Sequence, residues 1–441
     1  MSVSEILKQP KLRVAIAGAG IAGLTAAIAL RRHPLIDVQL YEQATELKEI
    51  GASIALGPNG LRTLERLGLH KAISDSVCFR GPSNLPMIYR HWKTGEIIGK
   101  DEHEAVSEYL HQTARYHRGH LHAALAENVP RDIIHLGKKV VSIDVLGEGV
   151  QVRFGDGTKV EADILIGADG LRSAVRQHFV PNFKLVWSGW TAYRTCFDVS
   201  LTGSIPGLPE DSIHWWGPKS SFFSSKLGKN SYTVVGSTYM DPEDPNAQLK
   251  DAKWDEETNV QAFRDLFAEW NPVVKALTEV APSVRLYPNL SCASTLDSWI
   301  FNNRVVLIGD AAHAHGGAHA TGGSLAIDDT YALYLSLISV FPATAKQKPS
   351  TEEIVRIMKL YERTRKPHAE KLLKMVHSSN AAKIDKLKSG TVETDEELRA
   401  RAAKGSNTAW LHEHNVVQAF DETLRASTRL GDDPREATPK L

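Results

Sequence analysis

Cysteine is scarce in this chain, and neither sign of charge is in excess. The 441 residues include three cysteines, Cys78, Cys196 and Cys292, with no CxxC spacing. This argues against a disulfide framework or a metal knuckle and favours a reducing compartment. The 52 basic and 52 acidic side chains give a formal net charge of zero, so no basic surface for nucleic acid is expected. The sequence therefore points to a small-molecule partner.

Long apolar runs are also missing. The late stretch Thr330–Ala345 has no charged residue, but it contains Pro342 and is shorter than the roughly 20 residues that span a bilayer. We interpret it as a buried helix. Residues 1–11 are interrupted by charged side chains and contain no apolar core of signal-peptide length. These features predict a cytoplasmic protein with no membrane anchor.

What the chain does contain is a glycine motif in a favourable setting. Gly18, Gly20 and Gly23 form a GxGxxG pattern between a predicted strand, Leu12–Ala17, and a predicted helix, Ala22–Arg32. The first glycine permits a tight turn, the second lets the backbone approach a pyrophosphate, and the third allows the helix to pack closely on the strand. The helix N-terminus then faces the phosphates. The pattern predicts a bound dinucleotide.

Glu42 completes this unit. It ends a second predicted strand, Val38–Glu42, at a position 24 residues after Gly18, where a carboxylate can accept hydrogen bonds from both hydroxyls of an adenosine ribose. The same carboxylate repels a 2′-phosphate, so the motif favours FAD or NAD over NADPH. The alternative interpretation of Glu42 is a solvated charge at the end of a strand.

Further along, the pattern of the elements changes and then returns. A predicted strand ends at Asp169-Gly170, and residues 190–239 then alternate Thr, Tyr, Phe, Trp and Val with polar residues, which predicts a separate antiparallel sheet that roofs a substrate pocket. A later strand, Arg304–Ile308, runs directly into Gly309-Asp310. The nucleotide-binding domain is therefore predicted to be discontinuous.

An ordered set of motifs extends this pattern over most of the chain. Besides the glycine loop, the set consists of Glu49–Ala55 with Pro58-Asn59, His117–Leu121, Asp169–Arg176, Gly189–Arg194, Gly309–His313 and Trp410–Asn415. With these motifs the chain, over about Leu12–Asn415, resembles the single-component FAD-dependent aromatic hydroxylases, or group A flavoprotein monooxygenases, and most of all their salicylate-hydroxylase-like branch. Similar members include dearomatising monooxygenases of secondary metabolism.

The elements and the resemblance together predict an α/β fold. It comprises a Rossmann-like FAD-binding domain with an inserted antiparallel-sheet substrate domain and C-terminal helices. The predicted boundaries are 12–180 for the first part of the FAD-binding domain with some substrate-domain strands, 181–290 for the substrate domain, 291–380 for the completion of the FAD-binding domain with C-terminal helices, and 381–441 for a polar helical tail.

The resemblance implies that FAD is held along its whole length. Arg118 would meet the pyrophosphate or ribityl side, Asp310 would accept a hydrogen bond from a ribityl hydroxyl, and Ala55 would contact the cofactor through its backbone. Gly322 and Gly323 would open a helix whose N-terminus favours the anionic reduced flavin by roughly 0.3 to 2 kcal/mol. Two interpretations of Asp169 stay open, a buttress of the fold near the pyrophosphate or a residue linked to NAD(P)H use.

The implied activity is hydroxylation of a phenolic or other electron-rich aromatic substrate by O2 and NAD(P)H through a flavin C4a-hydroperoxide. A cation beside the phenolate lowers its pKa, and Arg194 matches a substrate-contacting arginine of the dearomatising relatives. A structural arginine is the alternative. The tyrosine that accompanies it in those relatives has no match here, so Tyr232 is the second predicted catalytic residue, with Tyr239 and His214 as alternatives.

One departure from the relatives leaves the substrate open. After the GDAAH motif they usually carry a proline and then Gly-x-Gly, whereas His315–Gly323 has glycine at the proline position and alanine at the first glycine. The alternative function is a dearomatising or epoxidising monooxygenase that acts on a larger polyketide or alkaloid. A halogenase lacks support because its WxWxIP signature is absent, and a non-catalytic binding protein would leave Gly309-Asp310 without a purpose.

Histidines are concentrated in two motifs, yet no metal site is predicted. His313, His315 and His319 lie in a loop that flavin contact already explains. His412-Glu413-His414 lacks the HExxH spacing that places two imidazoles on one helix face.

Overall fold

The computed structural model describes residues 11–47, 52–244, 257–405 and 408–429. The strands are Leu12–Ala17 (β1), Ile36–Tyr41 (β2), Ser53–Leu56 (β3), Met87–His91 (β4), Ile97–Asp101 (β5), Ala114–His117 (β6), Ile134–His135 (β7), Val140–Leu146 (β8), Gly149–Phe154 (β9), Lys159–Ala162 (β10), Ile164–Gly167 (β11), Leu185–Asp198 (β12), Ile213–Trp216 (β13), Ser220–Lys226 (β14), Ser231–Tyr239 (β15), Glu257–Thr258 (β16), Val284–Cys292 (β17), Ile300–Phe301 (β18) and Val305–Leu307 (β19). The helices are Ile21–Leu30 (α1), Pro58–Arg66 (α2), Arg118–Ala126 (α3), Ala174–Phe179 (α4), Val260–Leu266 (α5), Pro272–Val280 (α6), Asp310–His313 (α7), Gly322–Val340 (α8), Thr351–Lys388 (α9), Asp395–Ala403 (α10), Ala409–His412 (α11) and Val416–Arg429 (α12).

The first sheet is the nucleotide-binding sheet. Its order is β18-β19-β11-β1-β2-β7, and all neighbours are parallel except β18, which is antiparallel to β19. Strand β19 pairs with β11 although more than 130 residues separate them, so Val306 lies beside Ile166. Because parallel sheets are covered on both faces, their strands are almost wholly apolar, as β1 and β11 are here. The predicted α/β class and the late completion of this sheet are confirmed.

The second large sheet has eight strands in the order β16-β17-β12-β15-β14-β13-β4-β5. Its strands β4 and β5 come from residues 87–101 and pair beside β13 in register Ile88 with Ile213. One face packs on α5 and α6 through a buried aromatic core of Phe222, Phe263 and Phe267. The opposite face is turned to the large cavity described below.

The C-terminal helices lie against both sheets. From the sequence we expect a helix over Glu352–Val376. Helix α9 starts with a capping box at Ser350 and Glu353, continues through Pro367 and ends at Lys388, twelve residues beyond Val376. Helix α10 then packs beside β5. From the sequence we also expect a helix near Glu256–Trp270, of which α5 covers Val260–Leu266.

Parts of the predicted motifs and tail lie outside the described residues. These parts are residues 1–10, residues 49–51 of the Glu49–Ala55 motif, Glu256, and residues 406–407 and 430–441 of the tail. Among the described residues, none of the helices combines the length and apolar character needed to cross a membrane.

Candidate active site

A large cavity of about 1800 Å³ lies between the two sheets and the C-terminal helices. Pockets for one drug-sized ligand are roughly 300 to 1,000 Å³, so there is room here for a cofactor and a substrate. The predicted residues that line it are Gly18, Gly20, Glu42, Ala55, Arg118, Arg194, Asp310, Gly322 and Gly323. Gly23 and Tyr232 are the two predicted site residues that do not.

Each of the three glycines of the GxGxxG motif has a different structural reason. Gly18 has a φ of +100°, and a Cβ there would lie 2.5 Å from the carbonyl oxygen of Ala168. A Cβ at Gly23 would collide with the carbonyl oxygen of Gly18, whereas a Cβ at Gly20 would meet no atom within 4 Å. Gly23 therefore serves helix packing and not direct cofactor contact. Gly20 borders open cavity, which is the space a pyrophosphate requires.

The first turn of α1 adds a binding element to this loop. No side chain caps the N-terminus of α1 at Gly20, so its first-turn N–H groups are disposed to bind an anion. His122, which sequence reasoning missed, fixes the loop from behind through a 2.7 Å hydrogen bond between its Nε2 and the carbonyl oxygen of Ala19.

Glu42 follows β2 directly and faces the cavity. Its carboxylate accepts hydrogen bonds from the backbone N–H groups of Ala19 at 2.7 Å and Ala44 at 2.8 Å. These bonds fix the orientation of the carboxylate beside the glycine loop. It is therefore an oriented acceptor at the place where an adenosine ribose is expected, which differs from a freely solvated charge.

The opposite wall of this half comes from the antiparallel pair β3 and β6. Ala55 lies in β3 opposite Arg115, and Arg118 follows β6 as the first residue of α3. The backbone N–H of Arg118 donates to the carbonyl oxygen of Ala52 at 2.8 Å. Arg118 is thereby held at the cavity wall.

The second motif lies at the carboxyl end of β19. Gly309 has a φ of +61°, and Asp310 after it is exposed to the cavity. Helix α8 begins at Gly322 without a side-chain cap. A Cβ at Gly323 would lie 2.8 Å from Cδ1 of Ile54, so the glycine allows α8 to approach β3 closely.

A buried acid behind this motif escaped the sequence analysis. The carboxylate of Asp329 accepts hydrogen bonds from the Gly309 N–H at 2.9 Å, from His313 at 2.6 Å and from Nε of Arg365 at 2.9 Å. The contacts with His313 and with the Arg365 cation hold the pKa of Asp329 below its usual range despite burial. The signal that could have found it is the acid pair Asp328-Asp329 within an otherwise apolar helix.

Asp169 anchors the start of α4. Its carboxylate accepts hydrogen bonds from Oγ of Ser173 at 2.5 Å and from the Val175 N–H at 3.0 Å. Burial raises its pKa above the usual value. These contacts support the structural interpretation of this residue.

Arg194 is the predicted substrate-side residue that reaches the cavity. It lies in β12, with its guanidinium carbon 5.7 Å from the centre of the Tyr287 ring and Nη2 beside Gly317 of the cofactor loop. Within the described chain its Nε has no hydrogen-bond partner, and no carboxylate lies within ion-pair distance. Arg194 thus presents an unpaired cation to the space next to the cofactor loop.

The prediction for Tyr232 is wrong in position. This side chain is 1% exposed and packs at 5.8 Å from the Phe197 ring in the aromatic core. Alternate residues of a strand face opposite sides, and in β15 it is Val235 and Ser237 that line the cavity. Burial raises the pKa of Tyr232 to about 12. Of the alternatives, His214 lines the cavity, and burial lowers its pKa to about 3.

The altered loop after the GDAAH motif carries unusual backbone geometry. His319 and Ala320 have φ values of +56° and +51°, a left-handed conformation that costs side-chain-bearing residues of order 1–2 kcal/mol. Both residues belong to the stretch that departs from the family pattern, and both line the cavity.

Histidine is frequent around the cavity. In the part of the chain that the structure describes, no group of three or more His, Cys, Asp or Glu side chains could hold a metal ion.

Comparison with known proteins agrees with this geometry. The family model for an FAD binding domain matches residues 11–376, and the chain belongs to this family. A 6-hydroxynicotinate 3-monooxygenase of Bordetella bronchiseptica is 30% identical over 84% of this chain and 92% of its own length. A salicylate hydroxylase of Pseudomonas putida is 29% identical over 97% of both chains. The solved structure of a salicylate hydroxylase substrate complex has a TM-score of 0.77 at 22% identity and covers 94% of this chain and 98% of its own.

Together these findings define an FAD-dependent monooxygenase of the single-component aromatic hydroxylase type. The resemblance, the enzyme class and the cofactor predicted from the motifs are confirmed. Such an enzyme uses O2 and a reduced nicotinamide as cosubstrates. The cavity fits FAD in several respects: there is open space beside Gly20, the N-termini of α1 and α8 have no side-chain caps, and Asp310 is exposed.

Proposed function

We propose that Arg194 holds the ionised oxygen of a phenolic substrate while the chain hydroxylates the ring. The observation that carries this proposal is that the cofactor-side residues and the unpaired Arg194 guanidinium line the same cavity. The names of the relatives support it, since 6-hydroxynicotinate and salicylate both have a hydroxyl group on an aromatic ring.

The cofactor-side residues would hold FAD at both ends. Gly20 and the N-terminus of α1 would take the pyrophosphate, Glu42 the adenosine ribose, and Asp310 a ribityl hydroxyl. The uncapped N-terminus of α8 would place partial positive charge beside the ring system, where it stabilises negative charge. Bound FAD supplies the reduced ring that activates dioxygen.

Arg194 would act on the substrate by electrostatics. A cation within about 4–6 Å of an acidic group lowers its pKa by about 1–3 units, and an ionised phenol donates more electron density to its ortho and para carbons. Since no carboxylate pairs with Arg194 in the described chain, its charge is available to the substrate. The predicted role is to keep the phenol ionised and aimed at the cofactor.

Aromatic side chains complete the substrate space. Trp190, Trp216, Phe223 and Tyr287 line the cavity on the side of the eight-stranded sheet. Flat apolar walls with few polar groups are typical of sites for small aromatic ligands. They also displace water from the reacting groups.

The test is direct. Purified protein should be yellow or become yellow with FAD. Among a panel of phenols, a substrate should accelerate NAD(P)H oxidation. With labelled dioxygen, one labelled oxygen atom should appear in the product. Protein that binds no FAD would refute the function. A product that has lost its aromatic absorbance, or an epoxide, would favour the dearomatising or epoxidising alternative.

A further inference from the structure

A second cation faces the cavity from the C-terminal helices. Lys383 lies near the end of α9 and lines the cavity, with its ammonium 5.5 Å from the centre of the Trp190 ring. Across the described ranges, the Lys383 ammonium forms neither a hydrogen bond nor an ion pair. It is an ammonium without an ion-pair partner beside an aromatic wall.

The neighbouring cations differ from Lys383 in this respect. Lys386, one turn further along α9, pairs with Glu397 at 3.0 Å. Arg401 of α10 lies over the Trp216 ring at 4.2 Å and binds both carboxylate oxygens of Glu393 at 2.9 Å. Glu397 and Glu393 thus pair with Lys386 and Arg401, and neither forms an ion pair with Lys383.

The Lys383 side chain is exposed and lines the cavity. The surrounding protein and the Arg401 cation lower its pKa, whereas the Glu393 carboxylate raises it. An accessible ammonium without an ion-pair partner can form a charge-assisted hydrogen bond to an anionic group of a ligand.

Lys383 and Arg194 act on different parts of the cavity. Trp190, which Lys383 covers, and Arg194 point to the same face of β12 but are four residues apart, which is roughly 13 Å along a strand. Arg194 lies at the cofactor loop beside Gly317. The two cations therefore suit two separate anionic groups of one ligand.

We infer that Lys383 binds an anionic group of the substrate, a carboxylate carried on a spacer away from the ring that is hydroxylated. This inference rests on the proposed function, because Arg194 is taken to hold the ionised ring oxygen. The indole faces of Trp190 and Trp216 would flank the planar part of such a substrate. Lys383 is then a specificity-determining residue supplied by α9.

The experiment measures ligand binding to the FAD-loaded enzyme without turnover, from the change in the flavin absorbance spectrum. The probes are 4-hydroxycinnamate and its neutral amide, and salicylate and salicylamide. In the wild type, 4-hydroxycinnamate should bind about tenfold more tightly than its amide, as expected of one charge-assisted contact. Lys383→Gln should abolish that preference without weakening the amide, whereas Lys383→Arg should retain it.

Lys386→Gln is the matched control, because this lysine lines the same cavity but already has a carboxylate partner. Its ligand preference should equal that of the wild type. Equal binding of 4-hydroxycinnamate and its amide to the wild type would overturn the inference. So would a carboxylate preference confined to salicylate, which would place the anion next to the reacting ring.

Further outcomes distinguish substrate binding by Lys383 from binding of the nicotinamide cosubstrate and from failure of the proposed function. If Lys383→Gln changes only the KM for NAD(P)H, the lysine serves the phosphates of the nicotinamide cosubstrate and the inference is wrong. Failure to take up FAD would refute the proposed function itself. An active hydroxylase that ignores the carboxylate of every probe would refute only the role of Lys383.

Discussion

Asp329 accepts a hydrogen bond from the backbone N–H of Gly309 across 2.9 Å and so ties helix α8 to the start of the second cofactor motif. The left-handed φ of +61° at Gly309 turns Asp310 outward to the cavity. Because His313 and Arg365 share the same carboxylate, one buried acid orients the loop that carries a proposed cofactor ligand.

Replacement of Asp329 should strongly lower the free energy of unfolding. Asp329→Asn would leave the fully buried Arg365 without its charge partner, and breaking a buried pair costs about 3–5 kcal/mol. The free energy of unfolding, measured with denaturant, checks this. Glu127→Gln, which removes an exposed pair with Lys71, should leave it essentially unchanged. A small effect of Asp329→Asn would show that the network contributes little.

Stability should depend on pH through buried histidines. The rings of His368 and His414 lie 4.1 Å apart near Arg365, and burial, aided by Arg365, lowers the pKa of His414 to about 3. A histidine near its ordinary value of about 6.5 when unfolded but at about 3 when folded contributes stability that is present above pH 6.5. That stability is lost as the pH falls towards 3.

The measurement compares unfolding free energies at pH 7 and pH 5. The wild type should lose up to about 2 kcal/mol per such histidine, and His414→Asn should make the loss smaller. His70→Asn, at an exposed position, should leave the pH dependence as it is. An unchanged slope in His414→Asn would contradict the assignment.

Alanine at Gly20 and alanine at Gly23 should affect different properties, FAD binding in the first case and stability in the second. Gly20→Ala puts a methyl group into open cavity, so the fold should be intact while the Kd for FAD rises by at least about tenfold, because the methyl group occupies the space of the pyrophosphate. Gly23→Ala places the methyl against the Gly18 carbonyl and should destabilise the fold. Flavin fluorescence titration and thermal unfolding of both variants provide the check.

Substitutions of Arg194 and of Tyr232 should have different effects on the kinetics of the enzyme. Arg194→Gln should raise the KM of the phenol and increase NAD(P)H oxidation without product, while the FAD spectrum is retained. Tyr232→Phe should leave KM and coupling unchanged, since this ring lies in the aromatic core. Normal turnover in Arg194→Gln would remove the arginine from the substrate site.

The backbone of the altered loop offers a stability test. Ala320→Gly relieves a left-handed alanine, and the gain is partly offset by the greater freedom of glycine in the unfolded chain. The free energy of unfolding should be equal to that of the wild type or higher by up to about 1 kcal/mol. Ala320→Val, with a branched side chain in the same conformation, should lower it.

Local patterns predicted the cofactor half well, because its determinants are short. The glycine loop, the strand before it and Glu42 lie within one βαβ unit, and the structure places all three at one cavity. Gly309-Asp310 could be found because an apolar strand leads directly into it.

Determinants that depend on long-range contacts were missed. Alternation along β15 shows that Tyr232 and Val235 face opposite sides, but not which side is the core, because that depends on helices more than twenty residues later. The network of Asp329 joins α8, α9 and the loop after β19, and no short pattern encodes it.

The length of α9 has a geometric consequence. Arg365 and Lys383 are 18 residues apart, five turns of roughly 3.6 residues, so they project from the same side of one continuous rod. The helix therefore fixes the direction of Lys383, the proposed substrate-binding residue, relative to Arg365, which pairs with Asp329 behind the cofactor loop. One residue inserted between them would rotate Lys383 by about 100° and leave Arg365 in place, which would uncouple substrate choice from the cofactor scaffold without a change in any side chain.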